Sequence, residues 1–149
     1  MNFSDVFLGF IYNFFACLFF ALLLHTPKRS MFWASFLGAA GYVVYLFTQR
    51  YINIAAGFFF GTLLMSIGAE ILSRHKKMPV TVFITPAIIS LVPGTGLYQS
   101  MVYFVSNDTA NGVNVAVETI INAGAMAIAI ACTGVLFRMK TNTHKFHIK

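Results

Sequence analysis

Long apolar runs separated by short polar punctuation dominate the chain. Val6 to Leu24, Met31 to Gln49 and Pro79 to Val105 carry no charge; Tyr51 to Leu72 is uncharged until Glu70, and Val113 to Phe137 holds one charge, Glu118. A helix of about 20 predominantly apolar residues crosses a hydrocarbon core of about 30 Å. The pattern therefore predicts an all-α polytopic membrane protein with five transmembrane helices, at about 6–24, 31–49, 51–72, 79–105 and 113–137. The connections, His25 to Ser30, little more than Arg50, Ser73 to Met78 and Ser106 to Gly112, are too short for a soluble domain. One transmembrane domain over 1–149, ending in a basic tail at 138–149, is the expected organisation. No Lys or Arg precedes the first run, which lacks the positive segment of a secretory signal and reads as a retained span.

Composition sharpens this. Apolar residues make up 58% of the chain and charged residues 9%, against about 25% charged in ordinary soluble domains. The net charge of +6 could suggest nucleic acid, but its placement argues for topology. With the N-terminus outside, nine of the ten Lys and Arg fall on the cytoplasmic side: Lys28 and Arg29, then Arg74, Lys76 and Lys77, then Arg138, Lys140, Lys145 and Lys149. Only Arg50 remains outside. The bias assigns N-out, C-in, with lipid rather than nucleic acid as the surrounding partner.

Glycine and alanine recur at helical spacing: Gly38 and Gly41 in the second span, Gly57, Gly61 and Gly68 in the third, and Ala123, Ala127 and Ala131 with Gly124 and Gly134 in the fifth. Small stripes let helix backbones approach. Packing within one bundle is the expected use, and a subunit interface the alternative.

The fourth run breaks this regularity. It contains Pro86, Pro93, Gly94 and Gly96. An interior proline removes a helical hydrogen bond and clashes with the preceding turn, and Pro-Gly followed by a second glycine favours a true break. The fourth helix is thus expected to be broken at Pro93-Gly94, with a second half-helix from about Thr95. Unwound backbone at membrane depth survives only where protein covers it or a wet cavity adjoins it. Transporters use such half-helix termini to receive anionic substrate groups. The candidate substrate site is therefore Ser90, Pro93, Gly94, Thr95, Gly96, Tyr98 and Gln99.

Two carboxylates are candidates for proton coupling. Glu118 lies about 8 Å inside the fifth span, with Asn122 one turn deeper on the same face. Glu70 precedes Arg74 by four residues, the favourable order for a helical ion pair, so a structural pairing competes. Cys17 and Cys132 lie in apolar runs without partners at metal spacing, and His144 and His147 lie in the basic tail, so neither a metal site nor a cofactor is expected. The spans hold no Ser/His or Cys/His arrangement and no paired carboxylates at helical spacing, which argues against an enzyme.

Around the break the sequence resembles the small membrane domain of the threonine/serine exporter (ThrE-type) family. Ala69-Glu70-Ile71 with Arg74, Lys76, Lys77 and Pro79 is followed in register by Pro86, Leu91, Val92, Pro93, Gly94 and Tyr98, and Gly38 to Tyr42 fits upstream. The likeness covers about Phe36 to Tyr103; Ser90 stands where the family often has a further proline. The resemblance implies a secondary exporter of small hydrophilic metabolites, threonine and serine or small dicarboxylates, in a bacterial inner membrane. It further implies a split pair, in which this chain joins a larger five-span subunit with a cytoplasmic domain, with a higher oligomer of the pair as a further option. A membrane assembly or regulatory subunit without its own substrate site is the competing reading.

Overall fold

The computed structural model describes residues 3–146, and every regular element among them is helical. Six helices follow in order: α1 (Phe3–Leu23), α2 (Lys28–Tyr51), α3 (Ile54–Lys76), α4 (Thr81–Ile88), α5 (Gly94–Val105) and α6 (Thr109–Phe146), with a 3-10 turn at Ile89–Leu91 after α4. Four are long and apolar enough to cross a membrane, and the pair Thr81–Leu91 and Gly94–Val105, bent by 46°, makes a fifth if counted as one span.

The helices overrun the apolar runs, for reasons of capping. α2 begins at Lys28, not Met31, and continues through Arg50 to Tyr51. The turn expected at Arg50 lies instead at Ile52 and Asn53, because the Asn53 side chain accepts the Ala56 N–H at 2.7 Å and starts α3 there. Arg50 then sits in the last turn of α2, where a cation opposes the helix dipole favourably. α3 runs past Leu72 through Arg74, His75 and Lys76, and stops at Lys77, which takes a left-handed conformation (φ 54°). The fourth element begins at Thr81, not Pro79. α6 starts at Thr109 and not Val113: Asp108 accepts the Asn111 N–H at 3.3 Å and its side-chain amide at 2.7 Å. It runs on to Phe146, far beyond 137, because an apolar count stops at a charge and a helix does not. His147 and Lys149 lie outside the described residues, as does the side chain of His144.

α2 and α3 form the central hairpin. A Cβ on Gly61 would lie 2.9 Å from the Gly41 carbonyl oxygen, and one on Gly41 would collide with Met65, so the seam closes only with glycine at both positions. α1 packs on α2 through edge-to-face ring pairs, Phe10 with Phe36 and Phe14 with Phe32. α4 enters against α2, α3 and α1, and its Phe83, Ala87 and the following Leu91 join Leu37, Phe58, Met65, Ala69 and Met126 in the core. α6 packs on α3. Among the described helices α5 touches only α6.

The small-residue stripes divide. Gly38, Gly41, Gly57 and Gly61 are buried at helix crossings. The α6 stripe is not internal packing: Ala123, Gly124, Ala127 and Ala131 are exposed, because α6 turns Met126, Ala129 and Thr133 inward instead.

Candidate functional site

The break is an inverse γ-turn centred on Pro93. The proline ring excludes the helical region for the residue before it, and Val92 is extended (φ −56°, ψ 126°). Pro93 itself sits at φ −77°, ψ 54°, and the Gly94 N–H donates back to the Val92 carbonyl at 2.7 Å. The carbonyls of Ile89 and Ser90 lose their α-helical donors, because Pro93 has no N–H and Gly94 has spent its own on Val92. α5 starts at Gly94, one residue before the expected Thr95. Its N-cap, Pro93, makes no side-chain capping bond. Both ends of the break thus present backbone polarity that the helices do not absorb.

The segment before the break is anchored. The Ser90 hydroxyl donates to the carbonyls of Ala87 at 2.9 Å and of Gly38 at 3.3 Å, tying the 3-10 turn to α2. The Cys17 thiol donates to the Ala87 carbonyl at 3.9 Å from α1. Gly38 permits this crossing, since a Cβ there would lie 3.1 Å from the Ala87 oxygen. The segment after the break is open. A Cβ on Gly94 would meet nothing within 4 Å. Thr95 and Gln99 are exposed, and Tyr98 is 70% exposed on the same face of α5. The opposite face carries Gly96 and the buried Ser100. Gly96 accepts the Thr119 side chain of α6 at a separation that a Cβ would abolish, so it is a packing glycine. Of the seven residues read from the sequence, Pro93, Gly94, Thr95, Tyr98 and Gln99 form one open surface, while Ser90 and Gly96 hold it in place.

Glu118 and Asn122 do come together, in a pocket of about 380 Å³ completed by Gln49, Asn53, Ile54, Ala55 and Ile121 at the α2–α3 turn. Gln49 and Asn53 are not among the residues singled out from the sequence; Gln49 lies in the last turn of α2 and Asn53 caps α3, and only the fold brings them against α6. No residue of the break lines this pocket. α6 stands between the two, with Thr119 against Gly96 and Glu118 and Asn122 on the pocket side.

Glu70 lies elsewhere, at the end of the bundle that carries the basic loops. Its carboxylate is 3.8 Å from Arg74 Nε. Arg74 also donates to the Phe137 carbonyl at 2.9 Å and lies over the Phe137 ring at 5.0 Å, joining α3 to α6. No group of three or more metal-ligating side chains occurs among the described residues.

A family model described as Threonine/Serine exporter, ThrE, matches residues 9–136. No curated protein and no solved structure matches the chain.

Proposed function

The chain belongs to the threonine/serine exporter family, and from that premise we propose that it is one half of a split secondary exporter whose substrate site is completed at the broken helix by a larger five-span subunit. Family membership makes the chain a multi-pass membrane transport protein. The observation that carries the finer reading is the open backbone at Gly94. Hydrocarbon offers no hydrogen bonds, so an uncapped helix start beside Thr95, Tyr98 and Gln99 needs a protein partner or a wet cavity against it. A complementary half supplies both, and α5, which among the described helices packs only on α6, leaves the room. The exposed Ala123, Ala127 and Ala131 stripe on α6 suits the close approach of a partner helix.

In this reading the N-terminus faces outside and the basic loops the cytoplasm of a bacterial inner membrane. The Thr95 and Gly96 N–H groups at the start of α5 receive a substrate carboxylate, and the Tyr98 hydroxyl and Gln99 amide bind the remaining polar groups. Threonine, serine and small dicarboxylates all carry such a carboxylate. Glu118, beside the amides of Gln49 and Asn122, exchanges the coupling proton. Glu70 is held by Arg74 and contributes to assembly.

The test is efflux of radiolabelled threonine or succinate from loaded vesicles, normalised to inserted protein. The chain alone gives no efflux, and co-expression with the larger subunit restores it. Substituting Pro93→Ala together with Gly94→Leu regularises the helix; insertion and pairing persist, and efflux falls at least about tenfold, the loss of roughly one charge-assisted hydrogen bond. Wild-type efflux from this double variant means that the break is architectural and favours an assembly subunit.

A further inference from the structure

A second pocket, of about 290 Å³, opens at the basic end, between the α1–α2 turn and the start of α4. Leu24, His25, Thr26, Thr81, Thr85 and Pro86 line it, with one imidazole and three hydroxyls among them. The turn is tightly built. The Thr26 N–H donates to the Ala21 carbonyl at 2.9 Å and the His25 N–H to the Leu22 carbonyl at 3.0 Å, the two bonds of a Schellman ending. The first residue past the cap in such an ending is left-handed, and here it is His25, with φ 52°. Glycine holds that conformation without steric cost and histidine does not, so the imidazole is presented here at a conformational cost. The facing loop is fixed as well: Ser73 donates to the Met78 carbonyl at 2.6 Å, and Ser30 to the Met78 sulfur at 3.1 Å.

Thr81 and Thr85 are one helical turn apart on an exposed face of α4, and Val92, 51% exposed, continues that face to the break. Thr81 to Leu91 covers about 16 Å at the helical rise. The lining contains no acidic side chain. Lys28 and Arg29 open α2 next to the turn, and Lys76 and Lys77 close α3 on the same end of the bundle. Hydroxyl and imidazole donors in a positive field suit a carboxylate; an ammonium group has no counter-charge there.

We propose that this pocket is an entry subsite, at which a small carboxylate-bearing metabolite is captured on the basic side before it moves along α4 to the break. The proposal rests on the transport reading above, and adds where the substrate first binds.

The test combines protection with kinetics in the assembled exporter. Cys17 is buried and Cys132 exposed, so a Thr85→Cys, Cys132→Ser variant presents one accessible thiol from this chain. A membrane-impermeant, anionic thiol reagent added on the basic side labels it, and threonine or succinate slows labelling at least about threefold, whereas sodium chloride of equal ionic strength does not. Protection by threonine alone or by succinate alone tells amino acid from dicarboxylate. His25→Ala with Thr85→Val raises the half-saturating concentration on the basic side roughly five- to tenfold, with the maximal rate within about twofold of wild type and the opposite side unchanged. Labelling indifferent to both carboxylates, or an unchanged half-saturation, overturns the entry subsite even while the Pro93→Ala, Gly94→Leu variant remains inactive. Wild-type efflux from that double variant overturns the site at the break instead, and leaves protection at Thr85→Cys to decide the pocket.

Discussion

The α2–α3 seam makes a quantitative demand on Gly61. A methyl group there would lie 2.9 Å from the Gly41 carbonyl oxygen, 3.0 Å from Leu91 Cδ1 and 3.2 Å from Tyr45 Cβ. Leu91 can rotate, but the Gly41 oxygen belongs to the backbone of a packed helix. Relief therefore needs the two helices to part by about half an ångström, which forfeits about a quarter of the dispersion attraction at each contact along the seam. Overpacking of this kind costs about 1–3 kcal/mol, and the gain in helix propensity from Gly to Ala returns up to about 1 kcal/mol. Gly61→Ala is thus expected to destabilise the isolated chain by about 1–2 kcal/mol. Gly124→Ala is the control: a Cβ there meets nothing within 4 Å, so only propensity acts, and stability rises by about 0.5–1 kcal/mol. The two variants should differ by about 2 kcal/mol, close to thirtyfold in the unfolding constant. Reversible unfolding in mixed micelles, titrated with a denaturing detergent and followed by loss of helical signal, measures this directly. Equal midpoints for the two variants, or a more stable Gly61→Ala chain, would refute the argument that backbone proximity sets the seam.

Asn53→Ala removes the bond to the Ala56 N–H and should cost about 1 kcal/mol in the same titration, with no change in insertion. Arg74→Lys keeps the charge but loses the planar contact with the Phe137 ring and carbonyl, so it should lower stability more than Glu70→Gln, which removes a 3.8 Å pair on a half-exposed arginine and should shift stability by less than about 0.5 kcal/mol. Glu118→Gln should abolish proton-driven efflux while sparing equilibrium exchange; loss of both, with insertion intact, would make Glu118 a substrate ligand. A reporter active only in the cytoplasm should work when fused after Lys149 and fail when fused before Asn2, and activity at both ends would dismiss the N-out, C-in topology.

Much of the architecture was legible because membrane helices are written in composition. A span needs an uninterrupted apolar run, and Pro93-Gly94 interrupts one in a way that backbone sterics make local. The Glu70–Arg74 pair was equally legible, since its geometry lies within a single helix. Helix ends were less so: Asn53 and Asp108 set them by capping, which an apolar count ignores. The fate of small residues could not be read either. Gly61 and Gly124 look alike in sequence, and only the neighbour that each meets distinguishes a seam from an open face. Gln49 and Asn53 join Glu118 for the same reason: their encounter needs the α2–α3 turn to lie against α6, a contact between residues far apart in the chain. The pocket around His25 depends on a turn and a helix that share no periodic signal.

The division of contacts at the break also partitions the bundle. α4 is bound into α1, α2 and α3, whereas α5 packs on α6. Among the described residues the two groups meet at the chain joint of Val92 and Pro93, along the flank of α3 against α6, and at the α2–α3 turn, where Gln49 and Asn53 share a pocket with Glu118 and Asn122. That flank is clamped near one extremity, where Arg74 grips Phe137, and the joint lies toward the other. Between these points Met126 of α6 reaches into the core beside Phe58, Met65 and Leu91, so α6 is seated along α3 and not at the clamp alone. The proline that opens the backbone is therefore also the border between two packing neighbourhoods.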